Sequence, residues 1–152
     1  MELNLDESDL LFDLQYELHE LFVRTMDGML GSEGLTLLQF YILKSLKDSG
    51  HMCKMSELAA SRLLSPAAVT GIADRLVNLG FVERVSDKND RRIVLLTLTD
   101  RATKLLDAID LKSLKLLRKF IDRISDEDRA TVRRVIVDFA QFLRTELKLQ
   151  KV

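Results

Sequence analysis

Within residues 65–76, SPAAVTGIADRL, two kinds of side chain separate at helical spacing. Val69, Ile72, Ala73 and Leu76 share one face, which should turn toward a core, and Ser65, Ala67, Ala68, Thr70, Gly71 and Arg75 share the other. That second face suits a helix laid in the major groove of double-stranded DNA. Small residues permit close approach, Thr70 offers a hydroxyl and a methyl to base edges, and Arg75 can reach a phosphate, with the positive end of the helix dipole toward the backbone. An ordinary amphipathic helix with a small-residue face has the same pattern, so this segment alone leaves both readings open. Lys88, Arg91 and Arg92 form a second cluster at the tip of what reads as a two-stranded ribbon. Such a tip can enter the minor groove, where negative potential favours arginine. Asp87 and Asp90 beside these cations either neutralise a surface turn or brace the arginines in an extended pose.

The elements that must position these residues follow from periodicity and punctuation. Leu11, Leu14, Leu18, Leu21, Phe22 and Met29 recur at three- and four-residue steps between Ser8 and Met29, one stripe of a first helix closed by Gly31 and Gly34. Thr36 with Gln39 three residues on forms a capping box for a second helix that runs to Ser49–Gly50. Residues 55–63 read as a short third helix, and Ser65–Pro66 opens the fourth, serine as N-cap and proline at the first helical position, with Gly80 as its stop. Beyond Gly80 the period shortens toward two: 81–85 and 93–98 are the strands of a hairpin around the turn 87–90. Thr99 caps a long fifth helix with Ala102, Leu105, Leu106, Ile109, Leu114, Leu117, Phe120, Ile121 and Ile124 on its stripe. Ser125, followed by Asp126, Glu127 and Asp128, opens a sixth carrying Val132, Val135, Ile136, Phe139, Phe142, Leu143 and Leu147. The fold class is therefore mainly α with a small β-hairpin wing, a winged helix-turn-helix core flanked by extra helices. The long terminal stripes exceed what a small central core can cover, and a second copy of the chain would cover them.

Composition removes several alternatives. At 152 residues and 47% apolar, the chain is one domain by length, able to bury roughly 68–70% of its unfolded surface without a metal or disulfide. A near-neutral balance, 23 Lys plus Arg against 24 Asp plus Glu, argues against a wholly electrostatic DNA binder but not against a local basic face. Residues 1–53 carry ten acidic and three basic side chains, and both later thirds have an excess of three positive charges. No apolar run approaches the ~18 residues of a membrane span, and the acidic start lacks leader character, so a cytoplasmic protein with no membrane partner is expected. No phosphate-cradling glycine loop, nucleophile elbow or HExxH pair is present, and no catalytic residue, metal or cofactor is assigned. The acids at 126–128 read as helix-dipole compensation. Cys53, the single cysteine, reads as a buried small apolar residue rather than a redox sensor, and with His19 and His51 it makes too sparse a ligand set for zinc.

The run from Ser56 to Thr99 resembles the DNA-binding core of the MarR family of bacterial transcriptional regulators. The matching pieces are SELA, the AVT…DRL…G of the fourth helix, the VER strand, and D-x-R followed by an apolar strand ending in LT. The resemblance implies a homodimer whose interlocked helices come from residues 1–35 and 100–152. It implies a DNA-binding core at 36–99, with residues 65–79 reading the major groove of an inverted-repeat promoter site and the wing carrying Arg92 to the minor groove. It also implies release by a small aromatic or lipophilic effector, for which Tyr16, His19, Phe22, Phe40 and Tyr41 are candidate pocket residues, although core packing explains them equally. Three positions depart from the family's pattern: Gly71 where a long polar residue is common, Ala102 where glycine follows the LT, and Leu63 in a turn that often holds glycine. The competing class is a winged-helix module that binds a protein rather than DNA.

Overall fold

The computed structural model describes residues 5–62, 64–87, 90 and 92–147. Lys88, Arg91 and the turn residue Leu63 lie outside them. Helix α1 spans Leu5–Leu30 and runs into a single 3-10 turn at Gly31–Glu33. Then follow α2 (Leu37–Asp48), a short strand β1 (Met52–Lys54), α3 (Met55–Ser61) and α4 (Pro66–Asn78). The wing is β2 (Val82–Ser86) and β3 (Val94–Leu98), after which come α5 (Asp100–Ile121) and α6 (Asp126–Glu146). The expected helices and hairpin are present, and the chain is mainly helical.

The punctuation acts as its chemistry requires. Thr36 and Gln39 cap α2 reciprocally, Gln39 N donating to Thr36 Oγ1 at 3.3 Å and Thr36 N to Gln39 Oε1 at 2.9 Å, which satisfies two otherwise unpartnered amides. Ser65, Thr99 and Ser125 each accept from the amide three residues on, at 3.2, 3.2 and 3.1 Å. Helix α4 ends in a Schellman motif. Gly80, at φ +74°, donates to Val77 O and Phe81 N donates to Leu76 O, a left-handed corner that a side chain at position 80 would strain.

One strand escapes the sequence reading. β1 adds to β3 in the antiparallel order β1-β3-β2, with Met52 opposite Thr97 and Lys54 opposite Leu95, while Val82 faces Leu98 and Ser86 faces Val94 on the other side. At three residues β1 has too short a pattern to read. It reaches its register through His51, which sits at φ +72°, the only non-glycine at positive φ among the described residues. The His51 carbonyl then accepts from Leu98 N at 3.0 Å and Thr97 Oγ1 at 3.2 Å.

The chain divides into two compact units, one reaching to Leu106 and the other beginning at Asp107. The core lies in the first, where Leu30, Ile42, Leu43, Leu46, Leu58, Val69, Leu76, Phe81, Leu96 and Leu106 are fully buried. Here α3 packs on α4, α4 on β2, and α2 on β3. In the second unit α6 buries no side chain, and Leu114, Leu117, Phe120, Ile136, Phe139 and Phe142 are all exposed. The turn between α5 and α6 is held by Arg129, whose Nε donates to Ile121 O at 3.0 Å. No helix among the described residues is long and apolar enough to cross a membrane.

Candidate nucleic-acid interface

Helix α4 divides as its spacing requires. Val69, Ala73 and Leu76 are buried and Ile72 half-buried, whereas Ser65, Ala67, Ala68, Thr70, Gly71 and Arg75 are all exposed on the opposite side. The two hydroxyls are in different states. Ser65 Oγ accepts from Ala68 N, so its proton remains available to an outside acceptor. Thr70 Oγ1 donates to the Pro66 carbonyl at 2.9 Å, which leaves its lone pairs and methyl for an outside partner. At Gly71 an added Cβ would meet nothing within 4 Å. Packing therefore does not demand glycine there, and mid-helix glycine costs about 0.5–1 kcal/mol relative to alanine. Arg75 has no side-chain ion-pair partner among the described residues.

The wing is tied back on itself. Asp87 N donates to Ile93 O at 3.0 Å, Ile93 N to Asp90 O at 2.9 Å, and Asp90 N to Asp87 Oδ1 at 3.0 Å. Asp90 meets Arg92 in a two-pronged pair, Nε to Oδ1 and Nη2 to Oδ2, both at 3.1 Å, and Arg92 N also donates to Oδ1 at 3.0 Å. The hydrogen bonds from the Arg92 side chain, then from its backbone, hold the Asp90 carboxyl below the usual carboxylate range. The Arg92 side chain is still 91% exposed, and its Nη1 end remains for a further acceptor. Asp90 orients one edge of the guanidinium, and the other faces outward.

Several positioning residues have partners too distant in sequence for periodicity to find. Asp74 on α4 pairs with Arg84 on β2, Nη1 to Oδ1 at 2.6 Å, joining the helix to the wing. Arg62, at the end of α3, donates through Nε to Ser45 Oγ at 2.7 Å and through Nη2 to Ser45 Oγ and Tyr41 O, fixing the turn before α4 against α2. Arg101 bridges Leu79 O and Glu33.

The candidate pocket residues are distributed unevenly. Tyr16, His19 and Phe22 are exposed along α1, whereas Phe40 is buried in the core with its ring 5.7 Å from that of the half-open Tyr41. Cys53 is half-buried on β1, opposite Leu96. Burial, and then the charge of Glu57, push its thiol above the ordinary range, the opposite of what an activated cysteine needs.

Comparison with known proteins gives this geometry a family context. Residues 35–94 match the model of the MarR family. The chain is 30% identical over 142 residues to the HTH-type transcriptional repressor MdtR of Bacillus subtilis, covering 91% of both chains. It is similar in structure to the YusO protein of Bacillus subtilis, with a TM-score of 0.71, 27% identity, and 91% and 99% of the two chains covered. It shares its fold with Streptococcus pneumoniae FabT, solved in complex with DNA, at a TM-score of 0.79 and 20% identity, with 91% and 98% covered.

Proposed function

Because the chain belongs to the MarR family of transcriptional regulators, we propose that it is a repressor that binds an inverted-repeat promoter site as a homodimer and releases it on binding a small aromatic or lipophilic effector. The observation that carries this reading is the exposed small-residue face of α4, joined through Asp74–Arg84 to a wing that presents Arg92. Ser65 and Arg75 are the phosphate contacts. Ala67, Ala68, Thr70 and Gly71 meet base edges, Thr70 through its methyl and lone pairs rather than its proton. Arg92, with Lys88 and Arg91, enters the minor groove, oriented by Asp90 while Asp87 holds the turn. Residues 1–35 and 100–152 supply the dimer interface, 36–99 the DNA-binding core, and Tyr16, His19, Phe22 and Tyr41 are the better-exposed candidates for the effector. The setting is the cytoplasm, where the promoter is.

Binding to a promoter fragment measured against salt tests this. The association constant should fall steeply on a logarithmic plot, because each phosphate contact releases counterions. Replacing Arg92 by alanine should weaken binding about tenfold or more without changing dimer mass. A flat salt response would favour a protein-binding module, and an R92A chain of unchanged affinity would remove the wing from the interface.

A further inference from the structure

Where the chain leaves α4, three successive carbonyls are each held from the start of α5, by its capping residue Thr99 or by Arg101 in its first turn. Leu79 O accepts from Arg101 Nη1 at 2.8 Å and Gly80 O from Thr99 Oγ1 at 2.9 Å. Phe81 O accepts from Thr99 N at 3.1 Å and from Thr99 Oγ1 at 3.2 Å. The Arg101 guanidinium also lies over the buried Phe81 ring, 4.4 Å from its centroid. Its Nη2 donates to Glu33 Oε2 at 2.9 Å, in the 3-10 turn that follows α1. One side chain thus joins the exit of α4, the residue leading into β2 and the segment leaving α1.

An ion pair this open to solvent, 56% on the Arg101 side and 32% on the Glu33 side, adds little to folding stability. Its geometry matters more. A planar guanidinium fixes two acceptors at a set angle, which a flexible ammonium does not, and a cation at the end of α4 also complements the helix dipole. A swing of α4 about Gly80 relative to the α1 segment would have to break the contact to Leu79 or the one to Glu33, so Arg101 biases their relative placement.

We propose that Arg101 is a positioning residue that sets the distance between the two recognition helices of the dimer, by locking the end of α4 to the end of α1. The proposal rests on the reading of the chain as a dimeric DNA-binding regulator, in which α1 belongs to the interface and α4 to the DNA. Arg101 touches no base. It decides which half-site spacing the dimer accepts.

The test measures binding of the full chain to its inverted repeat, to the same repeat with one or two base pairs inserted at the centre, and to an isolated half-site. Wild type should lose about tenfold or more on insertion, because half-site spacing mirrors the protein's own geometry. R101M should keep its dimer mass and its half-site affinity within about twofold, bind the native repeat roughly tenfold less tightly, and discriminate between spacings less than about threefold. R101K, which meets one acceptor at a time, should fall between them. E33Q should relax spacing in the same direction, and it decides the matter if R101M fails to fold. The proposal is overturned if either folded variant discriminates spacing as sharply as wild type. It is also overturned if half-site affinity falls as far as full-site affinity, which would make Arg101 a direct DNA contact. A wild-type chain that binds no DNA would instead remove the underlying reading, before any variant is compared.

Discussion

Helices α2 and α6 begin alike, each capped by a hydroxyl side chain and each carrying an apolar stripe, but α2 buries Phe40, Ile42, Leu43 and Leu46 whereas α6 buries no residue at all. The difference lies in what surrounds them. α2 packs on α1, β1 and β3 within its own unit, and its stripe is fully used by one chain. The α6 stripe, with Val135, Ile136, Phe139 and Phe142 exposed, has no such cover within its unit, and α1 shows the same condition at Leu11, Leu14, Leu18 and Phe22. Large apolar side chains left exposed along one helix face mark an interaction site. On the proposed reading a second copy of the chain covers these stripes, which would make one region serve the monomer and the other the pair.

Substitution separates the two directly. Leu46→Ala should remove about 2–5 kcal/mol from urea unfolding, the usual loss for a fully buried leucine. Phe139→Asp should leave helical content nearly unchanged while halving the mass seen by light scattering, since burying a large apolar side chain contributes about 1.5–3 kcal/mol to whatever assembly buries it. If F139D has the same mass as wild type, α6 is not the interface. Gly71→Ala separates folding from binding on a finer scale. With open space for the methyl, it should stabilise the chain by about 0.5–1 kcal/mol and lower DNA affinity, where the backbone must come close. An affinity that stays the same or rises would place position 71 away from the bases.

The smallest effect expected is at Cys53. Folding raises its thiol pKa through burial and Glu57, so near pH 8.5, where an unhindered thiol is about half ionised, the folded protein should react with iodoacetamide more slowly than the urea-unfolded chain. The sign for stability follows. Proton binding favours the folded state, so Cys53 has no effect below the unfolded thiol's pKa, and its influence turns destabilising as pH rises through that value toward the folded one. Asp90 is the reverse case. Its pKa is lowered by Arg92, and the pairing is complete above the ordinary carboxylate pKa and lost as pH falls through the lowered one, so it stays intact throughout the neutral range.

Much of this arrangement is legible in the chain because its signals are local. Thr36–Gln39, Ser65–Pro66, Thr99 and Ser125 place four helix starts to within a residue, and the spacing of Val69, Ala73 and Leu76 gives the buried side of α4. The contacts that orient the recognition helix are less legible. Arg62 with Ser45, Arg101 with Glu33 and Asp74 with Arg84 join residues 17, 68 and 10 apart, and no periodicity links such partners. β1 is hidden for a related reason, since its three residues become a strand only by pairing with β3 some 40 positions later. The α5 stripe also divides in a way spacing does not reveal. Ala102, Leu106 and Ile109 are buried, while Leu114, Leu117 and Phe120, in phase with them, stay exposed.

The most direct test of the central claim is selection of bound sites from random DNA by the full-length protein. The account predicts enrichment of an inverted repeat whose half-sites are centred about one helical turn apart, ~34 Å or 10–10.5 base pairs. Recovery of no enriched sequence, or of a single half-site without its inverted partner, would contradict it.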